Sequence, residues 1–367
     1  MTITTTAAVV EEAGAPFVLQ DVELDEPRPD EVLVRMVATG LCHTDLSAQA
    51  GALPFPLPGV LGHEGAGIVE KTGADVRAVA PGDHVLLSFS SCGDCPQCGA
   101  GRPAYCSSFH ALNLFGGARR DGSPTMFRDG EPVHGHFFGQ SSLARHALVD
   151  ERSLVRVPEG APLGTLAPLG CGIQTGAGAV LNALRPGAGA KLAVFGTGAV
   201  GCAAIMAAAL SGSSRIVAVD LVPARLELAR ELGATDAVDA GAGDVVAALR
   251  DLCGGLDYIV EATGSTTALS QAILSLAPRG TCAILSTYPH GATIPLDVNF
   301  MIDGRRVVGV SEGESDPRRF VPALAALYEQ GRLPIDRLIR HYPFEKIEQA
   351  AADAHAGVTI KPVLTFD

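Results

Sequence analysis

The run Lys191-Leu192-Ala193-Val194-Phe195 passes without a break into Gly196-Thr197-Gly198-Ala199-Val200-Gly201 and then into an alanine-rich stretch. A glycine triplet of this spacing is weak evidence alone. Here it follows an apolar β-like run and opens a helix, and Asp220 ends the next apolar run, 19 residues after Gly201. The glycines allow a tight turn and let a pyrophosphate approach the N-terminus of a helix. Asp220 would accept hydrogen bonds from adenosine ribose hydroxyls, and its charge would repel a 2′-phosphate. The expected cofactor is therefore NAD, bound by Gly196, Gly198, Ala199, Val200, Gly201 and Asp220. Further apolar runs at Arg215–Val219, Ala237–Val238, Tyr258–Val260, Cys282–Leu285 and Val307–Val310 alternate with helical stretches such as Pro223–Leu232 and Val245–Leu252. That alternation predicts an α/β fold with a doubly wound parallel sheet. It also explains Leu192–Leu210, which could pass for a membrane span, as strand plus buried helix.

At 367 residues the chain exceeds one ordinary core, so two domains are expected. A net charge of -13 argues against nucleic acid or an anionic membrane as the main partner. The first residues lack the basic and apolar regions of a secretory signal. Nine cysteines is an odd number, and four of them crowd one short segment. That pattern suits metal binding in a reducing compartment, and a cytoplasmic location is expected.

The region before Lys191 reads as mostly β. Val32–Val37 is strand-like and leads to Leu41-Cys42-His43-Thr44-Asp45, where a cysteine, a hydroxyl and a carboxylate fall close together. Cys42 can be read as a buried small hydrophobe, a reading that the polar residues on both sides fit poorly. Leu61-Gly62-His63-Glu64-Gly65 places a histidine and a glutamate in a glycine turn, either hydrogen-bonded there or next to a metal. Cys92, Cys95, Cys98 and Cys106 form C-x2-C-x2-C-x7-C, which can close a tetrahedron around a structural zinc. Ala144–Val149 is strand-like, Pro162–Gly178 is helical and contains Cys171 and Thr175, and a helix near Phe320–Gln330 precedes a terminal strand at Ile360–Leu364. Cys202, Cys253 and Cys282 lie among apolar neighbours and read as packing residues.

With Cys42, His63-Glu64, the four-cysteine segment and the glycine fingerprint in this order, the chain resembles the zinc-dependent medium-chain alcohol dehydrogenases. The resemblance runs nearly end to end, through Gly59-Val60-Leu61-Gly62-His63-Glu64-Gly65 and Pro343-Phe344-Glu345-Lys346-Ile347. Leu41–Leu46 and Leu87–Gly93 look most like the bacterial aryl (benzyl-type) branch. The resemblance implies a GroES-like β domain at 1–171 and 311–367 and a Rossmann domain at 172–310. It implies two zinc ions per chain. Cys42, His63 and Cys171 would hold the catalytic ion with Glu64 behind it, and Cys92, Cys95, Cys98 and Cys106 the structural one.

Asp45 would orient His63, and Thr44 would hydrogen-bond the substrate oxygen. His43 and Lys361 would contact the pyrophosphate, Arg225 the adenosine ribose and Thr175 the nicotinamide side. Some relatives end their proton relay in a histidine where this chain has Ser47, so Thr44 could pass a proton to Ser47, His43, a ribose hydroxyl or water. Leu53, Phe137 and Phe138 fall where relatives line a substrate channel, or are ordinary core residues. The implied reaction interconverts a small primary aryl or allylic alcohol and its aldehyde, in a homodimer or homotetramer. Rival readings are a thiol-adduct formaldehyde dehydrogenase, a secondary-alcohol or polyol dehydrogenase, and a catalytically silent zinc-binding protein.

Overall fold

The strands before the glycine fingerprint build two antiparallel sheets around one long strand. In chain order they are β1 (Ile3–Val10), β2 (Val18–Leu24), β3 (Glu31–Gly40), β4 (Gly59–Val60), β5 (Glu64–Thr72), β6 (His84–Leu87), β7 (Met126–Arg128), β8 (Glu131–Val133), β9 (His146–Asp150) and β10 (Leu154–Val157). The parallel sheet follows with β11 (Lys191–Phe195), β12 (Arg215–Asp220), β13 (Asp236–Asp239), β14 (Leu256–Glu261), β15 (Leu276–Ile284) and β16 (Arg306–Gly309). Last come β17 (Ile339–Pro343) and β18 (Lys361–Thr365). This computed structural model describes residues 2–366.

β3 organises the first unit. The sheet order is β10-β6-β5-β3-β18-β17, with β9 also on β3, and the second sheet runs β4-β1-β2-β7-β8. Register shifts within β3 re-aim its second half, so Glu31–Arg35 pair with β9 while Gly40 lies opposite both Glu64 of β5 and Val363 of β18. Three strand ends therefore meet at one place: the exit of β3 toward Cys42, the entry of β5 after His63, and the entry of β18 at Lys361. Ala7, Ala8, Val9 and Val10 of β1 are fully buried. The threonine-rich start of that strand hid it from apolar-run reading.

In the second unit all six strands are parallel, ordered β13-β12-β11-β14-β15-β16. Chain order reverses beside β11, which is the crest where ligands bind in doubly wound sheets. The expected strands are present, with β15 beginning earlier, at Leu276. The stretch Leu192–Leu210 divides into β11, the glycine turn and a buried helix, Ala199–Leu210. Among the described residues no helix is long and apolar enough to cross a membrane.

The second unit comprises Gly172–Ser315 and Leu327–Pro334, and the first takes back Asp316–Ala326 and the chain from Ile335. The chain thus rejoins the first unit at 316, where the sequence suggested 311. The turn at 311–315 is held to the second unit: Ser315 Oγ donates to Gln174 Oε1 at 2.8 Å and Asn182 Nδ2 donates to the Gly313 carbonyl at 3.0 Å.

Candidate metal and dinucleotide sites

Cys42 caps the helix His43–Gln49, and that cap aims the first donor set. The Asp45 carboxylate accepts from the Cys42 backbone N–H at 2.9 Å, from the Gly62 N–H at 2.9 Å and lies 2.9 Å from His63 Nδ1. A proton on Nδ1 completes this fully buried pair and leaves Nε2 as the lone-pair nitrogen. His63 Nε2 is buried without a hydrogen-bond partner. Cys171 arrives from a 3-10 turn, Ala167–Gly170, that docks on β6. Ser88 Oγ donates to the Gly170 carbonyl at 2.7 Å, and a Cβ on Gly170 would sit 2.0 Å from the Leu87 carbonyl oxygen.

Donor atoms of Cys42, His63, Glu64 and Cys171 all lie within 4.8 Å of one another. Donors at zinc bonding distances are separated by about 3.5–3.8 Å, so small shifts close this set on one ion. The electrostatics favour a cation. A hydrogen bond from Cys171, with the Lys361 and His63 charges, holds the Cys42 thiol well below its ordinary range despite burial. Burial opposes a charge on His63, yet Asp45 and Cys42 together raise its pKa, so that without a metal a proton takes the place on Nε2 from which zinc would displace it. A buried imidazole with an orphaned nitrogen beside two sulfurs is a donor set for zinc, and the residues fit that ion.

Glu64 belongs to the same cluster, but its carboxylate is matched by Lys361. Both oxygens accept from Lys361 Nζ at 2.9 Å, and the two side chains are buried. Burial raises the Glu64 pKa while Lys361 pulls it down. Gly40 makes this pair possible, since a Cβ there would fall 1.9 Å from Glu64 Oε2. Lys361, expected on a pyrophosphate, is 2% exposed here and compensates Glu64, which would be costly to bury without a counter-charge.

The second donor set is Cys92, Cys95, Cys98 and Cys106, also within 4.8 Å of one another. Cys92 Sγ and Cys98 Sγ are 3.9 Å apart, well beyond a disulfide bond. No cysteine among the described residues is in a disulfide. Backbone N–H groups of Cys98 and Ser107 point at Cys95 Sγ, both at 3.5 Å, and bring its pKa down to about 5. Burial pushes Cys92 up to about 12 and raises Cys98. Four thiolates cannot coexist there without a cation, and four sulfurs satisfy zinc with no position left over.

On the helix His43–Gln49, Thr44 and Ser47 are half-buried one turn apart and His43 is exposed. Thr44 Oγ1 lies 3.7 Å from Cys42 Sγ. Leu53 is half-buried against the core of the first unit. Phe137, read either as lining a substrate channel or as an ordinary core residue, is fully buried between Phe55 and His63. Phe138 is 5% exposed and stacks on the His63 ring.

In the second unit Gly196 adopts φ +84° and its N–H donates to the Val219 carbonyl at 2.8 Å. A Cβ on Gly201 would lie 1.8 Å from the Gly196 carbonyl oxygen, whereas one on Gly198 would meet nothing within 4 Å. Gly201 therefore serves helix–strand packing, and Gly198 keeps open the approach to the helix that begins at Ala199 and Val200. Asp220 accepts from Thr197 N–H at 2.6 Å and Thr197 Oγ1 at 2.7 Å, and from the backbone N–H groups of Leu221 and Val222. Arg225 is half-buried, and its Nε lacks a hydrogen-bond partner. Thr175 Oγ1 donates to Glu312 Oε2 at 3.4 Å. Sequence reading named neither Gly40 nor Glu312; a glycine two residues before Cys42 was the only signal for the first.

A donor set built for zinc and, on the same chain, a glycine turn at the crest of a doubly wound sheet define a zinc-dependent oxidoreductase with a nicotinamide cofactor. Residues 28–159 match the alcohol dehydrogenase GroES-like domain and residues 199–329 the zinc-binding dehydrogenase family. Geraniol dehydrogenase of Castellaniella defragrans is 42% identical, covering 99% of this chain and 98% of its own. A crystal structure of an alcohol dehydrogenase zinc-binding domain protein from Burkholderia ambifaria is 50% identical with a TM-score of 0.97, covering 100% of both chains. Benzyl alcohol dehydrogenase from Acinetobacter calcoaceticus is 43% identical with a TM-score of 0.96, again over 100% of both. The chain belongs to the zinc-binding alcohol dehydrogenase family, with a GroES-like unit and a Rossmann-like unit.

Proposed function

We propose that this protein interconverts primary aryl or allylic alcohols and their aldehydes with NAD, holding two zinc ions per chain. The observation that carries the reading is His63, fixed by Asp45 with its Nε2 orphaned beside Cys42 and Cys171. Zinc would be held by those three residues and would supply Lewis acidity toward an alcohol oxygen near neutral pH. Two thiolates and a neutral imidazole cancel the charge of the ion. Lys361 balances Glu64 behind them, so the donor set adds no net negative charge from that side. Thr44 would take the alcohol proton while giving up its own hydroxyl proton, with Ser47, one helical turn on, as the next acceptor. Asp220 keeps a carboxylate at the end of β12, where it disfavours a 2′-phosphate and selects NAD over NADP. Cys92, Cys95, Cys98 and Cys106 hold the structural ion.

The relatives support the substrate class: one is a benzyl alcohol enzyme and one a geraniol enzyme, an aryl and an allylic primary alcohol. Two further readings accompany this one. Reduced cysteines suit the cytoplasm. The open edge at β16, flanked by exposed Val298 and Ile302, suits a homodimer or homotetramer. The test is NADH formation across benzyl, cinnamyl, terpenoid and short aliphatic alcohols. Faster turnover of the first three is expected, and no signal with any alcohol would leave a silent zinc protein. Asp220→Gly should shift preference toward NADP; unchanged preference would assign the selection to other residues.

A further inference from the structure

The turn bearing His63 is gripped by the segment Phe137–Leu143, and the backbone there is strained. Phe138, Gly139 and Ser141 have φ of 51°, 67° and 48°. A bulky aromatic in the left-handed region is a marked outlier, and such strain persists only where the surroundings over-determine it. They do so here. The Ser142 N–H donates to the Gly62 carbonyl and the Leu143 N–H to the Leu61 carbonyl, both at 3.0 Å. Ser141 Oγ accepts from the Phe137 N–H at 2.9 Å and donates to the Val60 carbonyl at 2.6 Å. Gly62, at φ +96°, admits this strap, because a Cβ on it would lie 2.4 Å from Leu143 N.

Two side chains of the strap reach His63 itself. The Gln140 amide is fully buried. Its Nε2 donates to the His63 carbonyl at 3.0 Å and to the Ser88 carbonyl at 3.2 Å, while its Oε1 accepts from the Gly65 N–H at 3.1 Å. Gln140 thus pins the backbone on both sides of Glu64. The Phe138 ring lies 4.5 Å from the His63 ring at an interplanar angle of 25°. Asp45 fixes one nitrogen of the imidazole, but a single hydrogen bond leaves the ring able to tilt about it, and the stacked phenyl removes that freedom.

We propose that Gln140 and Phe138 are positioning residues of the first metal site, aiming His63 Nε2 at the point it shares with Cys42 and Cys171 before an ion arrives. This rests on the zinc reading above. With the left-handed backbone at 138 the ring meets both the His63 ligand and, edge to face at 5.0 Å, the core residue Phe137.

The test is zinc release from the full-length protein to a chelator, for wild type, Gln140→Met, Phe138→Gly and Phe138→Tyr. Cys42→Ala defines the release of the ion that remains. Phe138→Gly removes the ring at a residue that suits the left-handed backbone, so a weaker hold on His63 is not owed to new backbone strain. One ion should leave about tenfold faster, or more, in Gln140→Met and Phe138→Gly. The four-cysteine ion should be retained as in wild type, and Phe138→Tyr should restore slow release. kcat should fall with KM for NAD unchanged. Wild-type release in both variants would overturn the proposal, as would parallel loss of both ions with a lowered melting temperature. Should Phe138→Gly fail to fold, Phe138→Leu takes its place under the same criteria. Wild type holding fewer than two zinc ions would instead remove the zinc reading on which the proposal stands.

Discussion

The imidazoles of His63 and His136 are both buried, and their neighbours send them in opposite directions. His63 faces Asp45 and Cys42, which favour its charged form against the pull of burial. His136 has no such partner: burial, with the Arg119 charge adding to it, takes its pKa down to about 4. The sign of the stability effect follows. An unfolded chain takes up this proton as pH falls through 6.5, whereas the folded chain resists it until about 4. Folded stability should therefore drop across that interval, by about 3 kcal/mol from this group. Urea unfolding of wild type and His136→Asn from neutral to acid pH checks it: the difference in stability between the two should change over that window. A pH-independent difference would mean His136 charges freely in the folded protein. Legibility at this scale was mixed. Spacing pointed to Cys92, Cys95, Cys98 and Cys106 because zinc demands particular residue types close together, whereas Cys42, His63 and Cys171 were grouped by the family resemblance. The pairing of Lys361 with Glu64 was not legible, because the two are remote in sequence and pairing across a sheet leaves no local mark.

Strands and turns show what local pattern can carry. β11, β12 and β14 are buried on both faces and read as continuous apolar runs, so they were visible. β1 begins with threonines and β17 contains Arg340 and His341, so neither announced itself. A contact between remote elements holds β3 in place and was equally silent. Arg119, in the loop before β7, donates through Nε to Glu31 Oε1 at 2.6 Å and through a terminal nitrogen to Oε2 at 3.0 Å, with Asp25 as a third partner at 2.8 Å. Glu31 starts β3, the strand that leads to Cys42. Arg119→Met should destabilise the protein by about 3–5 kcal/mol, because Glu31 is left buried without a counter-charge. Pairing it with Glu31→Leu should recover most of that loss in a denaturation experiment. No recovery would mean that packing, not charge, is what Arg119 supplies.

At the scale of the whole molecule, the parallel sheet ends in an edge. Among the described residues no strand pairs with the outer side of β16. Val308 on that strand is 37% exposed, with Leu296 at 43%, Val298 at 75% and Ile302 at 75% in the segment before it. Open backbone hydrogen bonds beside an apolar surface invite pairing with another copy. Val298→Asp with Ile302→Asp should lower the mass measured by sedimentation while the zinc content holds. An unchanged mass would mean that this edge does not pair with a second copy.

The sequence by itself determined the chemistry carried by short segments: the glycine turn with Asp220, the four-cysteine lobe, and the residue types around Cys42 and His63. Those features obey spacing rules along the chain, so they are visible without coordinates. The tertiary structure alone decided that β3, β5 and β18 end at one point, that Lys361 neutralises Glu64 across the vacant side of Gly40, and that Phe137 lies in the core. It also decided that residues 137–143 bear on His63. The physical reason is common to all of these. Register, close approach and burial bring together groups far apart in the sequence, and their energies depend on what surrounds each atom rather than on its neighbours along the chain.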